Sequence, residues 1–171
     1  MAILNSARVN KNAIQRQSFA NLYNLINNRT NVPDPADGSG IRKFVFVRLP
    51  RIGRGFNGFP FIVINRMKPT KGKSTASLTK SFMSYDTTLT IYTQDEDSDN
   101  QGNANGAEQN NLISDNVIKT LNDSTNRKTL IDQRMANLEY NIDTDEDEFE
   151  GRRVFTSEFD IRFEETLLTI S

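Results

Sequence analysis

Three stretches of this chain carry residue types at spacings that could do chemistry. Gly53, Gly55 and Gly58 match G-x-G-x-x-G, the pattern that lets a backbone approach a pyrophosphate. That use requires the loop to open a helix, whose N-terminus holds the anion. Here Phe59-Pro60-Phe61-Ile62-Val63-Ile64 follows, which reads as a strand. A glycine loop between strands is also the kinase arrangement, but no catalytic-loop or D-F-G sequence follows. The loop is therefore expected to be a flexible hairpin tip. Gly72-Lys73-Ser74 resembles the end of a Walker A motif, but its first glycine would fall at Met67. Residues 74–81 also lack a helical apolar stripe, so no phosphate loop is expected.

The third pattern is carboxylate spacing. Asp95, Asp97 and Asp99 have calcium-loop spacing, but Asn100 replaces the turn glycine and Gly106 the bidentate glutamate. Asp143, Asp145 and Asp147 fail similarly, with Val154 at the twelfth position. Both runs read as solvated loops with no bound metal. Paired there for acid–base work, the carboxylates would lack the burial that shifts a pKa.

The residue types that are missing narrow the chemistry further. There is no Cys, His or Trp. That removes thiolate nucleophiles, disulfides, the Ser-His-Asp triad and the commonest transition-metal ligand. The expectation is a protein that is not an enzyme and carries no cofactor.

Charge is the informative feature. The net charge is −1, yet residues 1–85 hold 14 Lys and Arg against 2 Asp and Glu, and residues 86–171 hold 7 against 20. The basic residues include Arg42, Lys43, Arg48, Arg51, Arg54, Arg66, Lys68, Lys71, Lys73 and Lys80. The acidic run is Asp143, Asp145, Glu146, Asp147, Glu148 and Glu150. Two readings stand side by side. The halves interleave and neutralise each other within one subunit, or one face is basic and another acidic. The second suits head-to-tail association, which closes into a ring when the rotation allows it.

These residues need elements to position them. At 171 residues the chain suits one domain spanning 1–171. No apolar run approaches the roughly 20 residues of a membrane span, and the opening MAILNSARVNKN has no apolar signal core. No membrane partner is expected. Phe19, Leu22, Tyr23 and Ile26 predict a helix over 12–28, capped by Asn12. Strands are predicted over 41–49 and 59–67, forming a hairpin whose tip carries Arg51 and Arg54 beside Phe56 and Phe59. A third strand covers 82–93, with Tyr85, Thr87, Leu89, Ile91 and Thr93 on one face. Residues 108–122 form a second helix, 126–135 add a short helical turn around Leu130, 136–142 form a strand, and 152–163 form a long strand. A bulge is expected near Ser157, and residues 166–170 could extend that strand. Mobile loops are expected near 31–40, 68–80, 94–107 and 143–150. The order α-β-β-β-α-β-β gives an α+β fold, with a mainly antiparallel sheet and two helices packed on one face.

This order resembles that of the tail terminator (head–tail joining) proteins of tailed bacteriophages. The likeness is carried by the opening helix Asn12–Asn28, by the strands around Phe61-Ile62-Val63-Ile64 and Leu89-Thr90-Ile91-Tyr92, and by the ending FTSEFDIRFEETLL after DTDEDEFEG. The resemblance implies a structural virion protein, assembled in the host cytoplasm and located at the tail neck. It would form a homo-oligomeric, typically hexameric ring capping the tail tube, between tube protein and head connector. Genomic DNA would pass through the channel, with Arg51 and Arg54 near it. The loops at 31–40, 68–80 and 143–150 would touch the tube or connector. Arg48, Arg51, Arg54, Arg66, Lys68, Lys71 and Lys73 would be channel or interface residues, and Asp143 to Glu150 the acidic interface. The alternative is a nucleic-acid-binding module that uses the basic hairpin for phosphates and its aromatics for stacking.

Overall fold

The computed structural model describes residues 14–53, 58–74, 80–96 and 105–168. Its elements are α1 (Ile14–Ile26), β1 (Val45–Phe46), β2 (Phe61–Ile64), β3 (Lys68–Ser74), β4 (Lys80–Gln94), α2 (Gly106–Asn122), α3 (Ser124–Asp132), β5 (Met135–Phe149) and β6 (Arg152–Leu168). The class is α+β with a mostly antiparallel sheet of order β1-β2-β4-β6-β5. β6 lines one side of β4 from Lys80 to Gln94, so β2 and β3 share the other side, one beyond the other along β4.

Alternation along β4 and β6 gives the sheet two distinct faces. Tyr85, Thr87, Leu89, Ile91 and Thr93 point to one face with Ser157, Phe159, Ile161 and Phe163, and all are buried. Three helices, rather than two, pack there. Leu22 and Ile26 from α1, Ile113, Val117 and Leu121 from α2, and Leu130 from α3 join them in one core. Each such side chain contributes on the order of 2 kcal/mol on burial. Asp123 caps α3 by accepting the Asn126 N–H at 2.9 Å. Gly106 fixes where α2 begins. A Cβ there would sit 2.8 Å from the Asp95 nitrogen, and the Gly106 N–H donates to Asp95 Oδ1 at 3.0 Å. Among the described residues the opposite face carries no helix. At one corner Phe46, Phe59 and Tyr92 surround Phe61, with Tyr92 stacked at 4.9 Å.

Several sequence expectations are corrected. Residues 41–67 are not a hairpin: β1 runs parallel to β2, so the Arg51 segment is a crossover, and only 45–46 pair. The reason is local competition for the backbone. The Arg42 N–H donates to Asp37 Oδ2 at 2.6 Å, and its guanidinium binds Asp34 and the Gly58 carbonyl. These bonds hold much of the 31–40 segment against the body. Asp34 is buried between Arg42 (2.8 Å) and Arg29 (3.4 Å), and hydrogen bonds from Ser39 and the Arg42 amide lower the Asp37 pKa to about 2. The expected loop at 68–80 begins as β3, paired to β4. The expected bulge at Ser157 is absent, since β6 pairs with β4 without a shift; the irregularity lies between Ala136 and Glu139. Finally, 143–150 is not a loop. Residues 143–149 continue β5, and only Glu150 and Gly151 turn, both at positive φ (52° and 74°) as a two-residue type I′ turn requires. Acidic residues are weak strand formers, but the seventeen-residue β6 supplies a partner that outweighs propensity. Asn12, Arg54, Phe56 and 97–104 lie outside the described residues.

Candidate functional site

The sheet separates the two charge sets. β5 forms one edge and carries Asp143, Asp145, Glu146, Asp147 and Glu148, all exposed, with the exposed Glu150 in the turn. The other edge is made of β1 and β3. Arg48 and Arg51 follow β1, Arg66 precedes β3, and all three are exposed. Lys68, also exposed, opens β3, and Lys71 and Lys73 occupy later positions on it. The register aligns Asp143 with Glu158, Thr90, Val63 and Phe46, one row across five strands. Four inter-strand spacings make that row about 19 Å wide. That exceeds the Debye length of about 8 Å at physiological salt.

Among the described residues the two sets do not meet within the subunit. Among the described residues, Arg48, Arg51, Arg66 and Lys68 make no ion pair within 4 Å. The acidic run has one such contact, Glu146 to Arg153 at 3.7 Å. The ion pairs that do form use other residues: Arg42 with Asp34, Arg153 with Asp95 at 3.0 Å, and Arg162 with Asp86 at 2.8 Å. The Asp86 pair raises the Arg162 pKa through its hydrogen bonds.

The acidic edge has a second property. The two-residue turn makes Phe149 and Arg152 a hydrogen-bonded pair, and alternation then points the N–H groups of Thr144, Glu146 and Glu148 outward. Each is already taken. Asp143, Asp145 and Asp147 accept the following residue's N–H at 3.0, 2.9 and 2.7 Å. Strand addition at this edge is therefore disfavoured, both by like charge and by occupied donors. What the edge offers a partner is carboxylate. Exposed apolar groups accompany both edges, Ile142 on β5 and Val47 and Leu49 beyond β1.

Of the two aromatics expected to stack on nucleic acid, Phe56 lies outside the described residues and Phe59 is engaged within the fold. Phe59 packs against Phe61 at 5.2 Å. The crossover geometry also removes the hairpin tip on which a basic-aromatic grip was expected.

One group escaped the sequence reading. Glu165 is only 2% exposed, on the helix-covered face of β6. Ser18 of α1 donates to its Oε2 at 2.8 Å. Burial raises its pKa to about 7, opposed by the Ser18 hydrogen bond and by the positive charge of Arg134. It opens onto a cavity of about 340 Å³ lined by α1, the end of α3 and Arg134. A signal for it existed. Glu165 continues the parity of Phe159, Ile161 and Phe163, and Ser18 stands one turn before Leu22.

Among the described residues no cluster of three acidic side chains is placed to hold a metal. No helix there is long and apolar enough to cross a membrane. No protein-family model matches the chain, and comparison with curated proteins finds no match.

Proposed function

We propose that this chain is a structural subunit that associates head to tail through opposite sheet edges, closing into a ring. The observation that carries the reading is that Arg48, Arg51, Arg66 and Lys68, without an ion pair among the described residues, lie at one edge of the sheet and the acidic run, with the single contact of Glu146 to Arg153, at the other. Like edges repel, so two-fold pairing of β5 with β5, or of β3 with β3, is disfavoured. Unlike edges attract, and an interface between different surfaces is the kind that generates rings. Because the outward amides of β5 are occupied, side-chain charge and the flanking apolar groups make the contact rather than a continuous backbone ladder.

The resemblance drawn from the sequence supplies the biological setting, although β3 and α3 add to the element order expected there. In it the ring is a tail terminator at the neck of a bacteriophage tail, set between tube protein and head connector, with genomic DNA passing through. Arg48, Arg51 and Arg66 would then face the next subunit or the channel.

Native mass by light scattering, at low and high salt, tests the ring. A discrete oligomer that dissociates as salt rises is expected. Asp145→Lys with Asp147→Lys should give a monomer, and so should Arg48→Glu with Arg51→Glu. An equimolar mixture of the two variants should reassemble, because each altered edge meets its complement. A wild-type monomer at low salt, or variants that assemble normally, would overturn the reading. Strong DNA retention by that monomer would favour the nucleic-acid module instead.

A further inference from the structure

The cavity beside Glu165 differs from the groove on the opposite sheet face in that its unmatched carboxylate is buried, whereas Arg66, Lys68, Glu139 and Asp160 of that groove stand exposed. The larger groove on the bare sheet face, about 420 Å³, is lined by Asp86 and Arg162, which satisfy each other at 2.8 and 3.1 Å. Around Glu165 no such pairing exists among the described residues. Its one hydrogen-bond donor among the described residues is Ser18, and no cation lies within 4 Å of it. Arg134 lines the same cavity and lowers the Glu165 pKa by its charge, yet its guanidinium forms no ion pair or hydrogen bond with a described residue. Asp132 adds a second carboxylate, and the amides of Gln17 and Asn21 form another wall, joined by a 2.9 Å hydrogen bond.

The backbone holds Arg134 in place. It sits in the left-handed region at φ 70°, uncommon for a residue with a side chain, and its N–H donates to the Ile131 carbonyl at 2.8 Å. The left-handed turn is a common ending just past a helix C-cap, here Gln133, and it brings Arg134 to the cavity wall. The volume is within the range of small-molecule sites.

A buried carboxylate without a cation is costly, and it lowers that cost by keeping a proton. An ammonium group arriving at Glu165 would replace the proton. A guanidinium with free donors matches a carboxylate through two parallel hydrogen bonds. A ligand carrying both groups satisfies both residues at once, and one carrying a single charge leaves the other unmatched.

We propose that this cavity binds a small zwitterion, an α-amino acid or a compound with the same two groups, with Glu165 facing the ammonium and Arg134 the carboxylate. The site is independent of ring formation.

Calorimetric titration of the full chain tests it, with glycine, L-alanine, L-glutamine and L-lysine as probes and n-propylammonium and propionate as single-charge controls. At least one amino acid should bind tenfold or more tightly than both controls. Near neutral pH its binding enthalpy should differ between phosphate and Tris buffers, because Glu165 gives up a proton. Glu165→Gln should weaken binding at least tenfold and abolish the buffer dependence. Arg134→Asn, which tolerates the left-handed backbone, should bring the amino acid down to the level of the amine control. The proposal is overturned if no probe binds at about 10 mM, if the controls bind as well as the amino acids, or if both variants bind normally. Should Glu165→Gln fail to fold, Arg134→Asn alone decides between these outcomes.

Discussion

The carboxylates of the β5 edge and the single carboxylate of Glu165 are chemically alike and physically opposite. Asp143, Asp145 and Asp147 stand in water, each accepting a hydrogen bond from the next amide of its own strand. Glu165 stands under α1, with one hydroxyl for company, and its pKa rises to about 7. The acidic run is the most conspicuous feature of the sequence, but conspicuousness tracks number. What changes a carboxylate is burial, which depends on the elements packed over it. In the proposed assembly the crowded edge is a surface for long-range attraction, while the solitary residue is the one whose protonation couples to the fold.

Glu165→Gln gives the largest effect on stability and the sharpest contrast. The folded-state pKa of about 7 lies above the ordinary 4.5, so the folded chain holds this proton more tightly than the unfolded chain. The resulting stabilisation is complete below pH 4.5 and is lost as pH rises through about 7. A shift of that size corresponds to roughly 3 kcal/mol. Wild-type stability should therefore fall by up to that amount between about pH 5 and about pH 8. Glutamine resembles the protonated acid and cannot ionise, so the variant should lose most of this slope. Arg134, Asp132 and Tyr85 also face this region. The pKa of Tyr85 is raised by burial and then by Glu165, well above the window in question. Chemical denaturation across the pH series measures the slope, and an unchanged slope in the variant would refute the assignment.

Ser18→Ala gives a smaller effect of defined sign. The Ser18 hydroxyl stabilises the ionised form, so its loss should raise the Glu165 pKa further. The cost should be about 1 kcal/mol, larger at alkaline than at acid pH, because the ionised carboxylate loses a stronger, charge-assisted hydrogen bond than the protonated acid does. An equal cost at both ends of the series would mean that Ser18 acts through packing alone.

The sequence made the inner face readable and left the edges hidden, for physical reasons. The alternation from Tyr85 to Thr93 and the stripe Ile113, Val117, Leu121 are periodic, and the structure buries them as the period demands. Residues 143–149 lack both apolar periodicity and strand propensity, and their conformation comes from pairing with β6. The strand expected over 41–49 shrinks to Val45–Phe46, and Asp34 and Asp37, several residues away, claim the Arg42 side chain and amide. Charge asymmetry between the halves was plain. That the basic set would lie on one edge and the acidic set on the other depends on strand order, which no local pattern encodes. Glu165 could have been found by parity, since a charged residue continuing Phe159, Ile161 and Phe163 must be buried, displaced or paired.

Asp145→Asn with Asp147→Asn should produce the smallest change in stability, and its smallness is informative. The asparagine Oδ1 still accepts the amides of Glu146 and Glu148, so the edge keeps its occupied donors. The charges removed stand two residues apart on one strand, about 7 Å from each other, where Coulomb repulsion in water is about 0.6 kcal/mol. Removing them should leave monomer stability unchanged or raise it by no more than about 0.5 kcal/mol, as read from denaturant midpoints. Association should weaken nonetheless, because the neighbouring basic edge loses its counterpart. A loss of more than about 1 kcal/mol would show that these carboxylates support the hairpin itself. The edge and Glu165 would then differ in degree, and charge on β5 could no longer be read as reserved for a neighbour.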